Sequence, residues 1–106
     1  MTTFGYQAPK ARKAHVCGYC AEEIPVGSTY HRWYFVDGPY FACMRVHRGC
    51  ELVANDYYNE GGGDWYDRLV GPEPLHIMVD ESPAKVRALL KPLPPDERGW
   101  CWEQLS

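Results

Sequence analysis

Two short pairs of metal-seeking side chains constrain this chain more than anything else in it. Cys17 and Cys20 form a Cys-x2-Cys pair, His47 and Cys50 form a His-x2-Cys pair, and twenty-six residues separate the pairs. Either pair alone is a weak signal. Together they supply four ligands of the types zinc prefers. A chain of 106 residues suits one domain, buries roughly 60–70% of its surface, and often needs a staple beyond its apolar core. The fifth cysteine makes the count odd, so a disulfide framework would leave one thiol over. The first residues, MTTFGYQAPKARKAH, hold no apolar run of the signal-peptide kind. No stretch approaches a membrane-spanning length. A cytoplasmic location, where thiols stay reduced, follows as the expectation, and it favours metal ligation. Four protein ligands close a zinc site, whereas a catalytic zinc keeps a position open. One structural Zn2+ on Cys17, Cys20, His47 and Cys50 is therefore expected. Cys43 and His15 are the alternative ligands, with Cys43 read instead as a buried strand thiol and His15 as a solvated histidine.

The elements around the pairs can be read from local pattern. Residues 1–14 look like a flexible basic arm. Cys17 and Cys20 lie on a tight knuckle, where Gly18 eases the turn. TYHRWYFV, rich in β-branched and aromatic residues, predicts a strand, and YFACMRV predicts its return. Between them stands Asp37-Gly38-Pro39. Gly38 can take positive φ, but Pro39 argues for a loop longer than two residues. His47 to Asn59 predicts a helix, with Cys50, Val53, Ala54 and Tyr57 on one face. Gly61, Gly62 and Gly63 end it. DWYDRLV predicts a short helix and LHIMVD a short strand. Ser82-Pro83 predicts a capped helix start, the helix running to about Lys91 before Pro92. Trp100 and Trp102 pin the tail, with Cys101 a packed thiol.

Knuckle, hairpin and helix carrying these ligands resemble a treble-clef zinc finger. In outline the stretch is similar to the zinc fingers of poly(ADP-ribose) polymerases, which also show Cys-x2-Cys, a long hairpin insert and His-x2-Cys. The run ARKAHVCGYCAEEIPVGSTYHR followed by RVHRGC also resembles small uncharacterised phage and prophage zinc-finger proteins. The resemblance covers residues 11–55 and implies an α+β fold. The module it implies is zinc-stabilised and spans 15–60; residues 60–106 carry no such resemblance, and their local pattern alone predicts a short α/β extension over 64–106 packed on the module as part of one compact domain.

Charge divides the chain. Residues 1–50 hold six Lys/Arg against three acids, and residues 51–106 hold five against eleven. The acidic half is also aromatic in NDYYNEGGGDWYD, and aromatics anchor protein interfaces. The first expectation is thus a non-enzymatic, phage-type module that binds a host or phage protein through Tyr57, Tyr58, Asp64, Trp65 and Asp67. The alternative is a nucleic-acid-binding finger using Lys10, Arg12, Lys13, Arg32, Arg45 and Arg48, against which stands a sequence pI near 5.7. An HNH-like nuclease ranks last. His31 sits suggestively before the hairpin, but His47 is committed to the zinc, and no Asp-His or His-His pair precedes the strand.

Overall fold

A computed structural model describes residues 2–59 and 72–105. It is α+β: a small antiparallel sheet and a two-stranded ribbon, followed by helices. The strands are β1 (Thr2–Gln7), β2 (His15–Val16), β3 (Glu23–Ile24), β4 (Tyr30–Asp37) and β5 (Tyr40–His47). The helices are α1 (Arg48–Asn59), α2 (Glu73–Glu81), α3 (Pro83–Leu90), α4 (Pro95–Arg98) and α5 (Trp100–Leu105).

The hairpin β4–β5 is the backbone of the sheet. It pairs without slippage from Tyr30↔His47 to Asp37↔Tyr40. Gly38 and Pro39 alone make its turn, two residues rather than the longer loop expected. Gly38 takes φ 60, and the proline ring holds the next φ negative. Those signs are what a type II′ turn requires, so Pro39 sits where it does no harm.

Residues 2–7 are a strand and not part of a flexible arm. β1 pairs antiparallel with β4, giving the sheet order β1-β4-β5. The alternation of TTFGYQ is broken by a register shift between Phe4 and Gln7, with Gly5 at φ 69. This bulge sends neighbouring aromatics to opposite faces. Phe4 stacks on Tyr34, while Tyr6 stacks on Trp33 at 5.9 Å.

One sheet face, carrying His31, Trp33, Met44 and Val46, turns to the helical layer. On α1, Cys50, Val53 and Ala54 are fully buried and half-buried Tyr57 packs against the core, as the periodicity predicts, while Tyr58 is buried as well. Leu75 and Met78 of α2, Val86 and Leu90 of α3, and Cys101 complete the core. Ion pairs tie the layer together, Arg48 to Glu97 at 2.5 Å and Lys85 to Asp56 at 3.0 Å.

The described C-terminal extension, residues 72–105, is helical throughout, in contrast to the expected α/β mixture. LHIMVD lies inside α2. Its apolar run fits a strand and a helix equally well by pattern. Packing decides for the helix, because Leu75 and Met78, three apart, both enter the core while His76 and Asp80 face out. The helix at 83–90 forms as predicted, with Pro83 in its first turn. Ser82, however, makes no side-chain cap hydrogen bond. The glycine stop at 61–63 and the predicted helix DWYDRLV lie outside the described residues. Among those described, no helix is long and apolar enough to cross a membrane.

Candidate metal centre

The four predicted ligands converge. The ligand atoms of Cys17, Cys20, His47 and Cys50 lie within 4.8 Å of one another and form a group that could hold one metal ion. His47 Nδ1 is 3.4 Å from Cys20 Sγ and 3.6 Å from Cys50 Sγ. A tetrahedral ion with Zn–S near 2.3 Å and Zn–N near 2.0–2.1 Å would set nitrogen about 3.6 Å from each sulfur. The donor set and its spacing therefore fit a zinc-sized ion.

Each ligand is placed by an identifiable backbone device. The knuckle between β2 and β3 closes through Ala21 N–H to Cys17 O at 3.0 Å and Cys17 N–H to Glu22 O at 2.9 Å. The left-handed residue of this turn is Ala21, at φ 63, and not Gly18. Gly18 instead donates its N–H to Arg45 O at 2.9 Å, fastening the knuckle to the edge of β5. His47 ends β5 and Cys50 is the third residue of α1, so the strand-to-helix junction presents both to the knuckle.

Surrounding hydrogen bonds orient the ligands. His47 Nε2–H donates to Glu23 O at 2.9 Å, which leaves the Nδ1 lone pair facing the sulfurs. Cys17 Sγ accepts N–H groups from Tyr19 at 3.4 Å and from His47 at 3.5 Å. Three thiolates around a divalent ion carry one net negative charge, and these donors offset it.

The electrostatics of the group follow from its crowding. Hydrogen bonds with Cys20 and then Cys50 hold the Cys17 thiol far below the ordinary range. The same interactions with Cys17 and Cys20 push Cys50 well up. Burial opposes a charge on His47, yet hydrogen bonds to Cys17 and Cys20 outweigh it and raise the imidazole to about 10. A site that gathers thiolate character in the interior is one a divalent cation compensates.

The C-terminal helices supply a wall that the sequence did not announce. Gly99, at φ 79 between α4 and α5, lies directly on the ligands. A Cβ built there would stand 2.7 Å from Cys50 Sγ and 3.3 Å from His47 Cβ. Directly before Cys50, a Cβ on Gly49 would clash with the Arg98 carbonyl. Cys101 is fully buried beside this wall, and burial, followed by the nearby Cys20 and Cys17, pushes its thiol up to about 12. It is a packed, inert thiol.

The remaining candidates are scattered. Cys43 and His15 stand outside the four-ligand group. His15 packs on Tyr30 with ring centroids 5.3 Å apart. His31 is drawn into a cluster that joins three elements: its Nδ1 pairs with the carboxylate of buried Glu51, which also accepts from the Tyr6 hydroxyl. Glu51 follows a ligand by one residue, yet only tertiary pairing reveals its role. Of the expected partner residues, Tyr58 is 7% exposed, and Tyr57 is half-buried with its ring edge-on to Tyr58 at 5.2 Å. Asp64, Trp65 and Asp67 lie outside the described residues. Of the basic residues, Arg48 is engaged by Glu97, while Arg32 and Arg45 sit opposite each other on β4 and β5. Lys10 bridges to Thr29, and Arg12 and Lys13 are exposed beyond it. No protein-family model, curated protein or solved structure matches this chain.

Proposed function

We propose that the protein is a non-enzymatic binding module of treble-clef type, held together by one structural zinc ion on Cys17, Cys20, His47 and Cys50. The observation that carries this reading is the convergence of three sulfurs and one imidazole nitrogen within 4.8 Å of one another, all but Cys20 buried, with two N–S distances of the length a tetrahedral zinc would give. With four protein ligands no position remains for water or substrate. The order knuckle, hairpin, helix is the order a treble clef uses. Zinc in this role supplies folding free energy and no chemistry of its own.

The module's partner is the second part of the reading. A protein partner at the acidic half draws on Tyr57, while Tyr58 belongs to the core. The alternative of nucleic-acid binding gains from the sheet, where Arg32 and Arg45 stand beside exposed aromatics. It loses Arg48 to Glu97.

Elemental analysis tests the zinc. Protein purified without chelator should carry about one zinc per chain, and X-ray absorption should give about three Zn–S contacts near 2.3 Å and about one Zn–N near 2.0–2.1 Å. Folded protein with no bound metal would refute the reading. A hydrolytic activity that depends on added divalent ion and on His31 would replace it with the nuclease reading.

A further inference from the structure

Among the described residues, the three-stranded sheet has helices on one face only. Strand alternation and register place Phe4, Arg32, Tyr34, Val36, Phe41, Cys43 and Arg45 together on the other face. Near Tyr30 that face is closed by the chain at Pro9 and His15. Toward the hairpin it is open, with Phe4 47% and Phe41 64% exposed. The rings there form a continuous platform. Phe4 to Tyr34 and Tyr34 to Phe41 are each 5.8 Å between centroids, with interplanar angles of 27° and 16°.

Beside the platform is an electrostatic anomaly. Arg32 and Arg45 are direct cross-strand partners, and like charges in that position destabilise a sheet. The Nε atoms of both are buried and have no hydrogen-bond partner. Arg32 donates from Nη2 to Gln7 Oε1 and holds its guanidinium 5.9 Å from the Tyr34 ring centroid. Buried, unsatisfied donors are rare in native proteins. A phosphate accepting from the outer nitrogens of both guanidiniums would cancel the repulsion, although the buried Nε atoms stay out of its reach. The strands β1, β4 and β5 contain a single acid, Asp37, at the hairpin end, so the sheet's own residues are net basic.

We infer that the open sheet face binds single-stranded nucleic acid, with backbone phosphate held between Arg32 and Arg45 and bases stacked on Phe4, Tyr34 and Phe41; the inference rests on the binding-module reading above. Flat rings, those of Phe4 and Phe41 exposed, beside a pair of guanidiniums match a strand whose bases are free to splay out. A duplex keeps its bases stacked inside and offers no ring face to the platform.

Fluorescence anisotropy with the zinc-loaded full chain and a labelled oligothymidine of about 12 nucleotides tests this, beside a duplex of equal length and inorganic polyphosphate as competitor. The single strand should bind at least about tenfold more tightly than the duplex. Its affinity should fall with salt, with a log–log slope of about −0.7 per phosphate engaged. Arg45→Gln should weaken binding and flatten that slope by about 0.7. Phe41→Ala, at an exposed position, should cost about 5- to 150-fold for the oligonucleotide while leaving the slope unchanged. Equal or tighter duplex binding overturns the inference. So does polyphosphate competition combined with a neutral Phe41→Ala, which would make the face a bare anion site. Absence of strand binding at about 50 mM salt, with a dimer in sedimentation that Phe41→Ala abolishes, overturns it in favour of a second copy. Zinc is measured on every sample. Full zinc without strand binding defeats this inference and leaves the zinc reading standing, and strand binding without zinc does the reverse.

Discussion

At the scale of single residues, the two kinds of cysteine in this chain should answer differently to the same change. Cys20→Ala removes a ligand and should unfold at least the sheet half, because structural zinc contributes directly to folding. Cys101→Ala truncates a fully buried thiol and should cost about 1–3 kcal/mol. Circular dichroism melts of the two variants, run side by side, separate them; equal melting temperatures would mean the metal carries no structure. Gly99→Ala is a third case. Its Cβ would stand 2.7 Å from Cys50 Sγ at a φ of 79, so both sterics and backbone resist it. The expected loss is about 2–4 kcal/mol, with weakened metal retention in a chelator competition. Protons follow the ligands as well. In the metal-free protein His47 is raised from the ordinary 6.5 to about 10, so its contribution to stability is complete below about pH 6.5 and disappears as pH rises through about 10. Zinc requires that imidazole neutral and Cys50 ionised, so loading must expel protons near neutral pH. Calorimetry of zinc binding in two buffers of different ionisation enthalpy should show this release, and apparent affinity should climb with pH.

At the scale of elements, β1 is the weakest piece of the sheet. All six of its residues are exposed, so hydrogen bonds and side-chain stacking hold it with little burial. Its anchor to the helical layer is the Tyr6–His31–Glu51 cluster. Tyr6→Phe keeps the ring on Trp33 but takes one donor from a buried carboxylate, and should cost about 1–2 kcal/mol in urea denaturation. Amide hydrogen exchange should open β1 before β4 and β5, and sooner still in that variant. The same element explains where sequence reading stopped short. The hairpin, α1 and α3 were legible because their alternation, apolar periodicity and proline placement are local properties. β1 was not legible, since Gly5 breaks the alternation and the partner strand lies about 30 residues away. α2 was misread as a strand because Leu75, Ile77 and Val79 alternate, and only packing shows that Leu75 and Met78 are the buried pair. The convergence of Cys17, Cys20, His47 and Cys50 was legible from spacing. Gly99 was not, because its role is proximity across the fold and leaves no local pattern.

At the scale of the whole molecule, the candidate metal centre joins the two halves of the chain. The ligands come from residues 17–50, while the wall over them comes from Arg98, Gly99 and Cys101. Arg48 to Glu97, Lys85 to Asp56, and Arg98 packed 4.2 Å over the Trp102 ring add to that joint. Removing zinc with a chelator should therefore disturb the helices as well as the sheet. Far-ultraviolet circular dichroism and tryptophan fluorescence should change together in one transition. Two separated transitions would show that the C-terminal helices fold independently of the metal.

The seating of Gly99 against Cys50 has a consequence in time. Backbone seated on Cys50 Sγ shields that sulfur from oxidants, which attack a ligand thiolate, and narrows the path of a competing ligand to the ion. The covered site should thus be slow to trade its ion whatever its equilibrium affinity. A chain shortened before residue 95 would keep all four ligands yet lose its zinc quickly to a chromogenic chelator or to peroxide. During synthesis the same order would hold: Cys17, Cys20, His47 and Cys50 emerge before Gly99, so an ion bound there would stay exchangeable until residues 95–105 fold over it.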